Sequence, residues 1–100
     1  MKWIELIVVR AVDTRHKPTI IRFVDRLMSN ERTDQLKAVT MYRNAFVETD
    51  ICVHLQWEMD RHQPTRSDVG IGLVAVLEEF GRVYHTIWIQ DDKSGNGEKP

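Results

Sequence analysis

The sequence predicts one α+β domain in which four strands and two helices follow the order βαββαβ. Three observations lead there. One hundred residues, 42% hydrophobic and 29% charged, suffice for one core and leave no room for a second. Residues 2–12, 35–43, 50–60 and 82–90 have the alternating or continuous apolar character of strands. Residues 18–30 and 67–80 instead repeat apolar side chains every three or four positions.

The first strand is "KWIELIVVRAV", in which Ile4, Leu6 and Val8 alternate with Trp3, Glu5, Ile7 and Val9. Both faces are largely apolar, so the strand is expected in the centre of the sheet. Pro18 suits a first helical turn, where its missing N–H costs nothing. Ile20, Ile21, Val24, Leu27 and Met28 then form a stripe, and Asn30 is a candidate C-terminal cap. "QLKAVTMYR" is the second strand, open in its register, and "NAFVET" is short enough for a hairpin into the third. Ser67 is a good N-cap for "DVGIGLVAVLEEFG", whose core stripe is Val69, Leu73, Val76, Leu77 and Phe80, with Gly81 as the stop. Ile71, Val74 and Ala75 make a further stripe on that helix, which fits burial against a partner or ligand. "RVYHTIWIQ" is the fourth strand. The domain thus spans 1–90, and 91–100, polar and rich in Gly and Lys, is expected to be a disordered tail. This order implies a ferredoxin-like, four-stranded antiparallel sheet with both helices on one face. The first and third strands are expected at its centre, as a mutually parallel pair.

Placing Ile4, Leu6 and Val8 toward the helices, with Ile51, Val53, Leu55, Trp57, Val83, Ile87 and Ile89, leaves an unusual second face. It collects Trp3, Glu5, Ile7 and Val9 with Cys52, His54, Gln56 and Glu58, and with Tyr84, Thr86 and Trp88. So much apolar surface calls for a cover, and a second copy of the chain is the simplest one.

The formal net charge of −1, with scattered basic residues, argues against a nucleic-acid or anionic-membrane partner. No run approaches the ~20 apolar residues of a membrane span. The single cysteine excludes an internal disulfide and fits a reducing cytoplasm, and the N-terminus reads as a strand. No Gly-Phe-rich strand, Cys-x-x-Cys or phosphate-binding glycine loop is present, and Cys52-x-His54 lacks zinc-site spacing, so no metal is expected.

Over residues 1–90, and most particularly in "TDICVHLQWE" and "SDVGIGLVAVLEEFGRVYHTIW", the chain resembles the dimeric α/β-barrel proteins of the antibiotic-biosynthesis-monooxygenase-like (ABM-like) group. The resemblance implies a homodimeric α+β barrel with a pocket in each subunit. It also implies that some relatives oxidise aromatic polyketides or quinols without cofactor and that others degrade haem. Haem-degrading relatives carry a histidine on the second helix, and residues 67–80 have none. Oxidising relatives use pocket Trp, Tyr, Asn and Arg, for which Trp57, Trp88, Tyr42 and Tyr84 are suitable types.

His54 is the candidate catalytic base, with Glu5 expected beside it to orient the ring. Cys52, Gln56, Tyr84, Thr86 and Trp88 complete the expected ligand pocket, and the ligand is a small apolar or aromatic molecule. The plainer alternatives are a hydrogen-bonded histidine in a packed interface, an inert buried thiol and aromatic interface packing. His85 reads as structural, and His16 and His62 as loop residues. Two functional classes therefore stand: a cofactor-independent monooxygenase, and a non-catalytic homodimer.

Overall fold

The computed structural model describes residues 1–30, 35–59 and 64–91. The expectations for residues 92–100, for His62 and for the Met28 and Asn30 side chains lie outside the described residues. β1 (Lys2–Ala11), α1 (Lys17–Asn30), β2 (Leu36–Arg43), β3 (Asp50–Glu58), α2 (Asp68–Leu77) and β4 (Gly81–Ile89) follow the expected order. A short 3₁₀ turn, Thr14–His16, leads into α1 and was not expected. Asp13 caps it by accepting from the Arg15 backbone N–H at 2.8 Å. α2 ends at Leu77, three residues before the expected Phe80, which folds back on the core from a turn.

The sheet runs β2-β3-β1-β4, and every neighbouring pair is antiparallel. The two central strands are therefore antiparallel and not parallel as expected. The chain direction explains this: the helical crossover brings β2 in along the direction of β1, and the hairpin then reverses it into β3. Asn44 closes that hairpin by accepting from the backbone N–H groups of Phe46 and Val47.

Pairing sets the faces, because residues directly opposite one another share a side. Trp3 pairs with Trp57, Glu5 with Leu55, Ile7 with Val53 and Val9 with Ile51. All eight are buried, in one cluster with Ile20 and Val24 of α1 and Leu73 and Leu77 of α2, or, for Glu5, among its polar partners. The expected phase of β1 is thus reversed. Trp3, Glu5, Ile7 and Val9 face the helices, whereas Ile4, Leu6 and Val8 lie half-buried on the open face with Cys52 and His54. In β2, Val39 and Met41 take the helix side and Thr40 and Tyr42 the open side, after a bulge between Leu36 and Ala38. The second stripe of α2 is uncovered in the single chain, with Ile71 and Ala75 exposed and Val74 half-buried.

Gly81 starts β4 where a Cβ would run into the Arg10 carbonyl, which accounts for a glycine there. The reversed phase has a direct test. Ile7→Ala should lower the unfolding free energy by about 2–5 kcal/mol in urea melts, and Ile4→Ala by less than half as much. Equal losses at the two positions would contradict the assignment of faces.

Candidate functional site

Two groups of side chains carry chemistry, one on each face of the sheet. On the helix face a carboxylate is stranded in the apolar first strand. Glu5 is fully buried, and four donors converge on it. Trp57 Nε1 donates to Oε1 at 2.8 Å, and the Ser67 hydroxyl donates to the same oxygen. The Ser67 backbone N–H reaches Oε2 at 3.0 Å, and His85 Nε2 pairs with that oxygen at 2.7 Å. The set is what an acceptor-only group requires. Ser67 in turn caps α2, its hydroxyl accepting from the Gly70 N–H at 2.9 Å. Glu5 therefore sits at the positive end of α2 and ties that helix to the central strand. Gly70 follows from this, since a Cβ there would collide with the Glu5 carboxylate. The Trp57 ring, held by Glu5, stacks on Trp3 with centroids 6.4 Å apart.

The open face holds Ile4, Leu6, Val8, Cys52, His54, Gln56, Tyr84, Thr86 and Trp88. The His54 ring lies 4.7 Å from that of Tyr42. Partial burial pushes the His54 pKa below its ordinary 6.5 and raises that of the Cys52 thiol. Both changes favour neutral groups at neutral pH, a semi-polar wall without fixed charge. Trp88 is held by a hydrogen bond from its indole N–H to the Thr86 hydroxyl at 2.9 Å. At the end of this face, where β1 begins and β4 finishes, lies a pocket of about 340 Å³. Gln56 and Trp88 line it, and His54 does not.

Six of the seven sequence-predicted site residues thus share one face, and Glu5 does not join them. It cannot orient His54, because the strand separates the two. The residue it does hold is His85, which the sequence reading assigned to structure. The Glu5–Trp57–Ser67–His85 cluster was missed as a unit. Its trace was one carboxylate and one imidazole, each stranded in an apolar strand face. Among the described residues no group of three or more His, Cys, Asp or Glu could hold a metal ion. No helix among them is long and apolar enough to cross a membrane.

No family model and no curated protein matches the sequence. Solved structures do match. A Mycobacterium tuberculosis protein superposes with a TM-score of 0.68 at 12% identity, covering 94% of this chain and 99% of its own. SnoaB of Streptomyces nogalater, a cofactor-independent oxygenase solved as a mutant, gives 0.62 at 9% identity over 91% and 94%. Another structure, of an antibiotic biosynthesis monooxygenase, gives 0.56 at 12% over 88% and 96%. The chain has the ABM-like fold. At such identities the likeness reaches the architecture of the ABM-like proteins and not their residues.

Two measurements probe these groups. Glu5→Ala should cost about 3–5 kcal/mol, because it strands buried donors, while Ser67→Ala should cost about 0.5–2. His54 should titrate below 6.5 by NMR. A histidine whose folded pKa is depressed contributes stability above its unfolded pKa and loses it as pH falls through the folded one. Stability should therefore decline on acidification below about pH 6.5, and His54→Gln should flatten that decline.

Proposed function

We propose that the chain acts as a homodimeric α+β barrel whose open sheet face encloses a small aromatic molecule, and that it oxidises a phenol or quinol with dioxygen and no cofactor. The observation that supports the reading is the composition of that face. Tyr42, Tyr84 and Trp88 are 49%, 46% and 57% exposed in the single chain, beside half-buried Ile4, Leu6 and Val8. An apolar, aromatic surface of this extent gains from being covered, and a self-complementary pairing of two sheets is the symmetric way to cover it. The ABM-like fold, shared with a cofactor-independent oxygenase, favours oxidation over other chemistries.

His54 is the proton acceptor in this reading. Its neutral imidazole takes the proton of the substrate hydroxyl, and the electron pair stays on oxygen as a phenolate. Dioxygen then oxidises the electron-rich ring: one oxygen atom becomes the new carbonyl, and the other leaves as water with two substrate hydrogens. Removal of such a base costs on the order of 10²-fold or more in turnover.

One observation favours the non-catalytic alternative. His54 packs against Tyr42 and stands outside the 340 Å³ pocket. Oxygen uptake with a panel of quinols and polyketide-like phenols decides between the two. The expected result is turnover in a protein that scatters light at twice the chain mass, with His54→Ala still dimeric and slowed about 100-fold. A monomer at micromolar concentration would remove the barrel, and an inert dimer would leave only a packed interface.

A further inference from the structure

The pocket at the end of the open face is built from three short runs: Lys2–Ile4 of β1, Gln56–Glu58 of β3, and Trp88 and Ile89 of β4 with the following Gln90, joined by Lys37 from β2. Alternation places the Ile4, Gln56 and Trp88 side chains in one row across its floor, since Ile4 pairs with both of the others. Lys2 and Glu58 form the next row outward. Lys37 stands at the β2 bulge, on the far side of β3 from Lys2.

Three features indicate what would fill it. The volume lies at the lower end of small-molecule pockets and suits a single-ring compound. Trp88 offers an exposed ring whose edge is fixed by Thr86, so stacking on it costs little further ordering. The charged lining is two lysines against one glutamate, and none of the three has an ion-pair partner among the described residues. One positive charge is left in excess beside the Gln56 amide, although the whole chain is slightly acidic.

We infer that this pocket selects a small aromatic acid, its ring over Ile4 against Trp88 and its carboxylate toward Gln56, Lys2 and Lys37. The inference rests on the ligand-binding reading of the open face and adds to it the charge of the ligand. Glu58 opposes the acid and sets how strongly the lysines act, so the site distinguishes acids from neutral analogues by a modest factor.

The test is equilibrium dialysis of the intact protein against 4-hydroxybenzoate and its uncharged analogue 4-hydroxybenzamide. The acid should bind about fivefold more tightly at low ionic strength, and the difference should shrink as salt rises. Replacing both lysines, Lys2→Gln with Lys37→Gln, should remove the difference. Glu58→Gln should enlarge it while leaving the amide unchanged, and Trp88→Leu should weaken both compounds. All of these positions are at the surface, and circular dichroism will verify that the variants fold. Equal affinity for acid and amide would overturn the charge selection and leave aromatic binding standing. Binding of neither compound would overturn both.

Discussion

One buried carboxylate organises this molecule. Glu5 lies in the middle of the central strand with no exposure to solvent, where an unpartnered charge would be incompatible with folding. It is tolerated because β3, β4 and the start of α2 each bring donors to it. Those partners are 52, 62 and 80 residues away in sequence, so the carboxylate can be satisfied only when the whole sheet and α2 are in place. A slip of either neighbouring strand by one residue would expel Trp57 or His85 to the other face and leave Glu5 unpaired. A buried polar group of this kind contributes less to net stability than to the choice of one register over its neighbours. Gly70 and Ser67 belong to the same constraint, one making room for the carboxylate and the other linking it to the helix N-terminus.

The open face inherits its composition from that choice. With Glu5 inward, Ile4, Leu6 and Val8 must point outward, and they meet Cys52, His54 and Gln56 across β3. The wall is therefore more apolar than one holding Glu5 would be, and it carries no fixed charge near His54. Burial depresses the imidazole pKa there without an anion to counter it. An imidazole in such surroundings is neutral at neutral pH, and it lacks the oriented partner that would raise its basicity. That partner exists in this protein and is spent on His85 behind the sheet.

The element order was legible because each element is locally consistent: Pro18 and Ser67 open helices, Asn44 closes the hairpin, and β3 alternates without ambiguity. The phase of β1 was not legible, for a definite reason. Trp3, Ile7 and Val9 are as apolar as Ile4, Leu6 and Val8, so period-two patterning cannot choose between the faces, and Glu5 makes its own face look the less suited to a core. A carboxylate is ordinarily expelled from a core, whereas here three distant segments solvate it. Only Ser67, already marked as an N-cap, hinted at an anion nearby. The placement of Cys52, His54, Gln56, Tyr84, Thr86 and Trp88 on one side did follow from alternation, because β3 and β4 carry it cleanly.

The two halves of the open face bear on each other through the geometry of β3. His54 and Gln56 are two residues apart on the same side, which in an extended strand is about 7 Å. A compound seated in the end pocket by Gln56 and Trp88 thus lies one side-chain step from the imidazole. A para-substituted ring spans a comparable length, so a ligand whose acid group turns to the lysines can direct its opposite end toward the centre of the sheet. Tyr42 packs on His54 from the other side, where it stands opposite Cys52. Tyr42 is itself 49% exposed, and such a ring can change rotamer at small cost when another surface closes over it. On the proposed reading, a second sheet laid over this face would close the pocket and the imidazole into one space, so that covering the apolar wall and completing the site would be the same event.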